Sequence, residues 1–153
     1  MPTSELDVHG MTQREAVDAF VTECNAALAR AGRSVAVRVV HGYGSSGEGG
    51  VLGARLRGFC DTHADRVAYA RGEDAESNPG VTIVTVRGPL PDARERLGAA
   101  IVRYCAGRPR AKGRIAGRFR RAGEPAVADA LRELLRQGRL RKLDGGHGGY
   151  QAQ

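Results

Sequence analysis

Val35-Ala36-Val37-Arg38-Val39-Val40 runs directly into His41-Gly42-Tyr43-Gly44-Ser45-Ser46-Gly47-Glu48-Gly49-Gly50, so an apolar, β-branched stretch delivers the chain to a glycine-rich loop. Such a run is expected of an interior strand in a sheet covered by helices. The loop opens a helix whose apolar positions are Leu52, Leu56, Phe59 and Cys60. Upstream, Leu6-Asp7-Val8-His9 alternates as a short strand closed by Gly10. Thr12 followed by Glu15 forms a capping box, and Val17, Phe20, Val21, Cys24, Ala27 and Leu28 recur at helical spacing until Gly32. Downstream, Arg66 to Ala70 and Val81 to Val86 read as two more strands, parted by a polar, turn-forming segment from Gly72 to Gly80. The order β-α-β-α-β-β predicts a two-layer α/β sandwich, a sheet backed by two helices.

Gly88-Pro89 is the expected joint, because a residue before proline is pushed out of helical geometry and Pro91 suits the first turn of a new helix. The chain is therefore expected to divide into residues 1–88 and 89–153. In the second part Leu97, Ala100, Ile101, Tyr104 and Cys105 stripe one helix, Ile115 and Phe119 a short second, and Val127, Leu131, Leu134 and Leu135 a third. Arg139 to Leu143 and the glycine turn leading to Tyr150 read as a closing hairpin. Three helices followed by a basic hairpin resemble a small winged-helix module.

Asp7 and His9 are two apart on a strand, so both project from one face while Leu6 and Val8 face the other way. His41 lies just past the carboxyl end of the next strand; the long helical crossover requires the two strands to be parallel, which opens both ends on one edge of the sheet. Asp7, His9 and His41 are thus expected to converge on one crevice. A carboxylate-oriented imidazole suits general acid–base cleavage of a phosphodiester. The same trio could instead hold a divalent ion, Mg²⁺ or Mn²⁺, or the histidines could simply close their strands with hydrogen bonds.

The loop from Gly42 to Gly50 offers unobstructed main-chain N–H groups ahead of a helix, an arrangement that holds phosphate; Gly42, Tyr43, Gly44, Gly47 and Gly50 are its candidate contacts. Gly42, Gly44 and Gly47 also satisfy a dinucleotide fingerprint, but the chain has no room for a second mononucleotide half. No Gly-Lys-Ser/Thr follows, which excludes a P-loop. A G-x-S-x-G elbow is missing too, so an esterase is excluded.

Two of these motifs carry a family resemblance. Leu6-Asp7-Val8-His9-Gly10 and His41-Gly42-Tyr43-Gly44, with Gly50-Val51-Leu52 and the strand around Gly80 to Val84, resemble the Smr (small MutS-related) domain family over roughly Glu5 to Arg87. The resemblance implies a fold like the carboxyl-terminal domain of translation initiation factor three, binding to DNA or RNA and, in several members, endonuclease activity. Cleavage has been linked in that family to the two motifs, which carries over onto Asp7, His9, His41, Gly42 and Gly44. This sequence departs from the family at Tyr43, where Lys or Arg is frequent, and in the longer loop Ser45 to Gly49. A non-catalytic DNA- or RNA-binding protein using the same crevice, and a small nucleotide-binding protein using the glycine loop, are the alternatives.

The charge distribution points to the same class of partner. Residues 1–87 hold nine Arg against eleven acids, whereas residues 88–153 hold fifteen Lys and Arg against six acids. From Arg103 to Arg121 there are eight basic residues and no acid, a footprint for a polyanion. Arg110, Lys112, Arg114, Arg118, Arg120, Arg121, Arg139, Arg141 and Lys142 are the expected nucleic-acid contacts. No apolar run approaches the ~20 residues that a membrane span needs. Cys24, Cys60 and Cys105 are scattered and odd in number, and the first residues lack the basic and apolar regions of a secretory signal. Both features lead to the expectation of a cytoplasmic protein.

Overall fold

A computed structural model describes residues 4–43, 50–145 and 148–153. The chain forms two compact units, Met1–Asp92 and Ala93–Gln153. The first contains β1 (Ser4–Asp7), α1 (Gln13–Ala31), β2 (Val35–Val40), α2 (Gly50–Thr62), β3 (Val67–Arg71), α3 (Gly72–Glu76) and β4 (Val81–Val86). The second contains α4 (Ala93–Ala106), α5 (Lys112–Arg118), a 3₁₀ turn at Arg120–Ala122, α6 (Glu124–Arg136), β5 (Leu140–Lys142) and β6 (Tyr150–Ala152). Among the described residues no helix is long and apolar enough to cross a membrane.

In the first unit the strands lie in the order β1-β2-β4-β3. β1 and β2 run parallel, joined by α1, with Asp7 opposite Val40; β4 is antiparallel to both of its neighbours. The capping box forms as expected, Thr12 Oγ1 accepting from Glu15 N–H and Glu15 Oε2 from Thr12 N–H, and Gly32 ends α1 at φ 64°. The pleat sends Val35, Val37 and Val39 of β2 and Val84 and Val86 of β4 to one face. There they pack with Phe20 of α1 and Leu56 and Phe59 of α2, all buried. Phe20 and Phe59 meet edge to face at 6.0 Å. On the opposite face Arg38 of β2 binds Glu5 of β1 at 2.8 Å and Glu76 of α3 at 2.5 Å.

Two local features differ from the expectations. The segment after β3 begins with a short helix, α3, rather than an irregular turn; Glu73 and Asp74 stand in its first turn, where the helix dipole favours acids. Ser77 closes it in the left-handed region at φ 58°, its N–H bonded to Gly72 C=O. The first unit also continues past Gly88. Leu90 is buried in its core, and the Asn25 amide clamps Leu90 in both directions, donating to its C=O (2.9 Å) and accepting from its N–H (2.8 Å).

The second unit has its own core of Ile101, Cys105, Ile115, Val127, Leu131, Leu134, Leu140 and Tyr150. β5 and β6 pair antiparallel, and Arg110, in the α4–α5 connection, adds a bridge to Tyr150 through N–H···O bonds of 3.0 and 2.8 Å.

Candidate functional site

β1 ends at Asp7, earlier than the expected strand Leu6 to His9, and His9 stands in the turn that follows; Leu6 and Val8 are the more buried of the four, and Asp7 and His9 are exposed. One carboxylate oxygen, Asp7 Oδ1, accepts from the His9 main-chain N–H at 3.0 Å and from His9 Nδ1 at 2.6 Å. The imidazole, chiefly, and then the main-chain N–H hold the Asp7 carboxyl below its ordinary range. An ionised carboxylate only accepts, so His9 carries its proton on Nδ1 and presents Nε2 outward. The His9 side chain is 70% exposed.

Parallel pairing brings His41 and Gly42 alongside. Val8 N–H donates to Val40 C=O at 2.8 Å, and a Cβ placed on Gly42 would lie 3.6 Å from His9 Cβ. Gly42 itself sits at φ +82°, a conformation natural to glycine. Gly80, which precedes β4, braces this turn, its carbonyl accepting from His41 N–H at 3.0 Å and Gly42 N–H at 3.1 Å. Asn78 Oδ1 accepts from Gly80 N–H and from the Tyr43 hydroxyl, both at 3.0 Å. The Tyr43 residue is thereby tethered at its tip while half exposed.

His41 is placed differently. It follows Val35, Val37 and Val39 in phase, so its ring goes to the helix-covered face and is buried. Nε2 lies 2.9 Å from Thr82 Oγ1 and Nδ1 lies 3.0 Å from Gly42 C=O, while Arg57 Nη1 lies 3.4 Å from the same Thr82 oxygen. Arg57 can only donate, so Thr82 accepts from it and donates its own proton to His41 Nε2; Nδ1–H then donates to Gly42 C=O. This chain of bonds occupies both nitrogens of His41. Gly53 of α2 makes room for it, since a Cβ there would come within 2.6 Å of His41 Cε1 and 2.9 Å of Arg57 Nη1.

The structure thus brings together Asp7, His9 and Gly42, holds the Tyr43 ring by Asn78, and turns the His41 ring away toward α2. Gly44 and Gly47, with the loop insertion Ser45 to Gly49, lie outside the described residues, as does part of the closing hairpin turn, Gly146 and His147. Gly50 begins α2 at φ +68°. Among the described residues no three His, Cys, Asp or Glu side chains gather into a group able to hold a metal ion. Gly53, Arg57 and Asn78 were given no part in the site by the sequence, and Gly80 and Thr82 entered only through the closing strand that resembles the family. Gly50, Gly53 and Arg57 follow one another at helical spacing, which was the available signal for two of them.

The predicted cationic residues all belong to the second unit. Arg110 lies in the α4–α5 connection, Lys112, Arg114 and Arg118 on α5, Arg120 and Arg121 in the 3₁₀ turn, Arg139 just ahead of β5, and Arg141 and Lys142 on β5. Arg141 donates to Gln151 Oε1 at 2.7 Å.

Comparison with curated proteins finds no match. The model of the Smr domain family, by contrast, matches residues 6–87, the span that holds Asp7, His9, the HGYG segment and the Asn78–Gly80 brace. More than half of the chain is covered, and the protein belongs to the Smr domain family, which ties it to nucleic-acid binding or nuclease-type function.

Proposed function

We propose that this protein binds nucleic acid and cleaves its phosphodiester backbone, with Asp7 and His9 as the catalytic pair. One observation carries this reading: the 2.6 Å bond that holds His9 Nδ1 to Asp7 and leaves Nε2 free to exchange protons. In the reaction Nε2 takes a proton from the attacking hydroxyl, Asp7 stabilises the resulting imidazolium, and the proton is returned to the departing oxygen. A base stacked on the half-exposed Tyr43 ring would add contact energy of about 1–3 kcal/mol. His41 serves here as a framework residue that holds Gly42 beside His9.

The β1-β2-β4-β3 sheet with both long helices on one face supports a fold like the carboxyl-terminal domain of translation initiation factor three. Three helices, the β5–β6 hairpin and the Arg110–Tyr150 bridge support a winged-helix-like second module. Its excess of cations supplies affinity. Three free, buried cysteines suit a reducing compartment such as the cytoplasm.

The test is incubation of the full chain with labelled single-stranded RNA, single-stranded DNA and branched DNA, in Mg²⁺, Mn²⁺ or EDTA, beside Asp7→Ala/His9→Ala. Cleavage by the wild type alone, with binding retained by both, supports the nuclease. Binding without cleavage on every substrate supports the second reading, a non-catalytic binder. The commitment of both His41 nitrogens favours that reading, since it leaves one imidazole at the site.

A further inference from the structure

The positive charge of the second unit is unevenly spent. On α6 the arginines are answered by acids of the same helix: Arg132 pairs with Asp129, and Arg136 with Glu133 at 2.5 Å. The stretch from the end of α4 through α5 contains no acid at all. There Arg108, Arg110 and Arg114, with Pro109 and Ala111, line a cavity of about 280 Å³, and among the described residues none of the three pairs with a carboxylate. Arg110 is held in place: its guanidinium lies 4.2 Å from the centre of the Tyr104 ring and its Nε donates to Tyr104 C=O at 3.1 Å. That leaves both terminal nitrogens of Arg110 for a ligand. Ordering the fork in advance lowers the entropy lost on binding.

We propose that this cavity is the seat of a single phosphate group of a nucleic-acid strand, and that α5 and the α4–α5 connection, rather than the outer face of α6, form the docking surface of the second unit. The proposal rests on the nucleic-acid reading above. Unpaired guanidinium groups around one concavity call for an anion, and the planar fork of arginine matches the oxygens of a phosphate. Lys112, Arg118 and Arg120, all exposed, continue the charge beyond the cavity, as a polymeric anion requires and a lone phosphate does not. The phosphate is either a terminal monoester, with three non-bridging oxygens, or an internal diester, with two; either offers the pair that an arginine fork takes.

The test is salt-dependent binding of the full chain to single-stranded RNA of one sequence, bearing either a 5′-phosphate or a 5′-hydroxyl. Arg108→Gln/Arg114→Gln is expected to weaken binding about tenfold and to flatten the log–log salt slope by about 0.7, the value for one phosphate on a single strand. Arg108→Lys/Arg114→Lys should keep the slope yet lose affinity, because the charge stays and the fork goes. Arg132→Gln/Arg136→Gln removes the same charge from α6 and should change neither. Loss confined to the phosphorylated strand assigns the terminal monoester; equal loss on both assigns an internal diester. The proposal is overturned if the α6 pair matches the cavity pair, or if the cavity pair binds as the wild type does. A wild type that binds neither strand overturns the nucleic-acid reading itself, and this inference with it.

Discussion

Thr82 Oγ1 stands 2.9 Å from His41 Nε2 and 3.4 Å from Arg57 Nη1, so a single hydroxyl joins β4, the end of β2 and α2 behind Gly42. Thr82→Val keeps the shape and removes the hydroxyl, leaving a buried imidazole nitrogen and a buried guanidinium short of a partner. Denaturant unfolding should show a loss of about 1–3 kcal/mol. An unchanged midpoint would mean that the network contributes nothing to the fold.

Gly53→Ala tests the close approach of α2 to His41. The added methyl would meet Cε1 at 2.6 Å, within the range where the ring must move. A loss of about 1–3 kcal/mol is expected, as for overpacked cores, together with shifted imidazole resonances of His41. Gly58→Ala, with nothing within 4 Å of the new methyl, is the matched control and should be neutral or slightly stabilising.

The pH dependence follows from Asp7. Its carboxyl is held low in the folded state by His9, so its contribution to stability is present above the unfolded value and is lost as the pH falls through the lowered one. The difference in melting temperature between the wild type and Asp7→Asn should therefore be small, and should shrink further in acid. A difference that is constant across that range would show that the carboxylate charge plays no part. His9→Ala, which removes the proposed base, is expected to lose about 10²- to 10⁴-fold in cleavage rate.

All three cysteines should resist alkylation in the native protein. Cys24, Cys60 and Cys105 are buried; burial pushes the Cys60 thiol up to about 12 and that of Cys24 further still. Thiolate is the reactive form, so labelling should wait for unfolding. Rapid labelling of any one under native conditions would contradict the packing described.

The elements that dominate the first unit were legible in pattern: Thr12, Glu15 and Gly32 bounded α1, and the run Val35 to Val40, apolar but for Arg38, marked β2 as interior. The pairing of Asp7 with His9 followed from their spacing alone. His41 illustrates a signal present but outweighed. Its phase with Val35, Val37 and Val39 marks it as inward-facing, yet its position after a strand end invited a place in the crevice. Spacing puts Arg57 on one helix face with Gly50 and Gly53, but it cannot reveal Thr82 as the shared partner, which lies 41 positions from His41 and 25 from Arg57. Asn78 sat in a segment that read as a featureless turn, because nothing local reveals that its side chain holds Tyr43.

The Asn25–Leu90 clamp has a consequence for how this chain could be cut or recombined. The family match ends at residue 87, but the core of the first unit is sealed by Leu90, three residues later. A fragment ending at Arg87 would carry every motif residue and yet leave an open socket and an idle amide at its base. The seam at which this unit can be severed or grafted intact lies after Asp92.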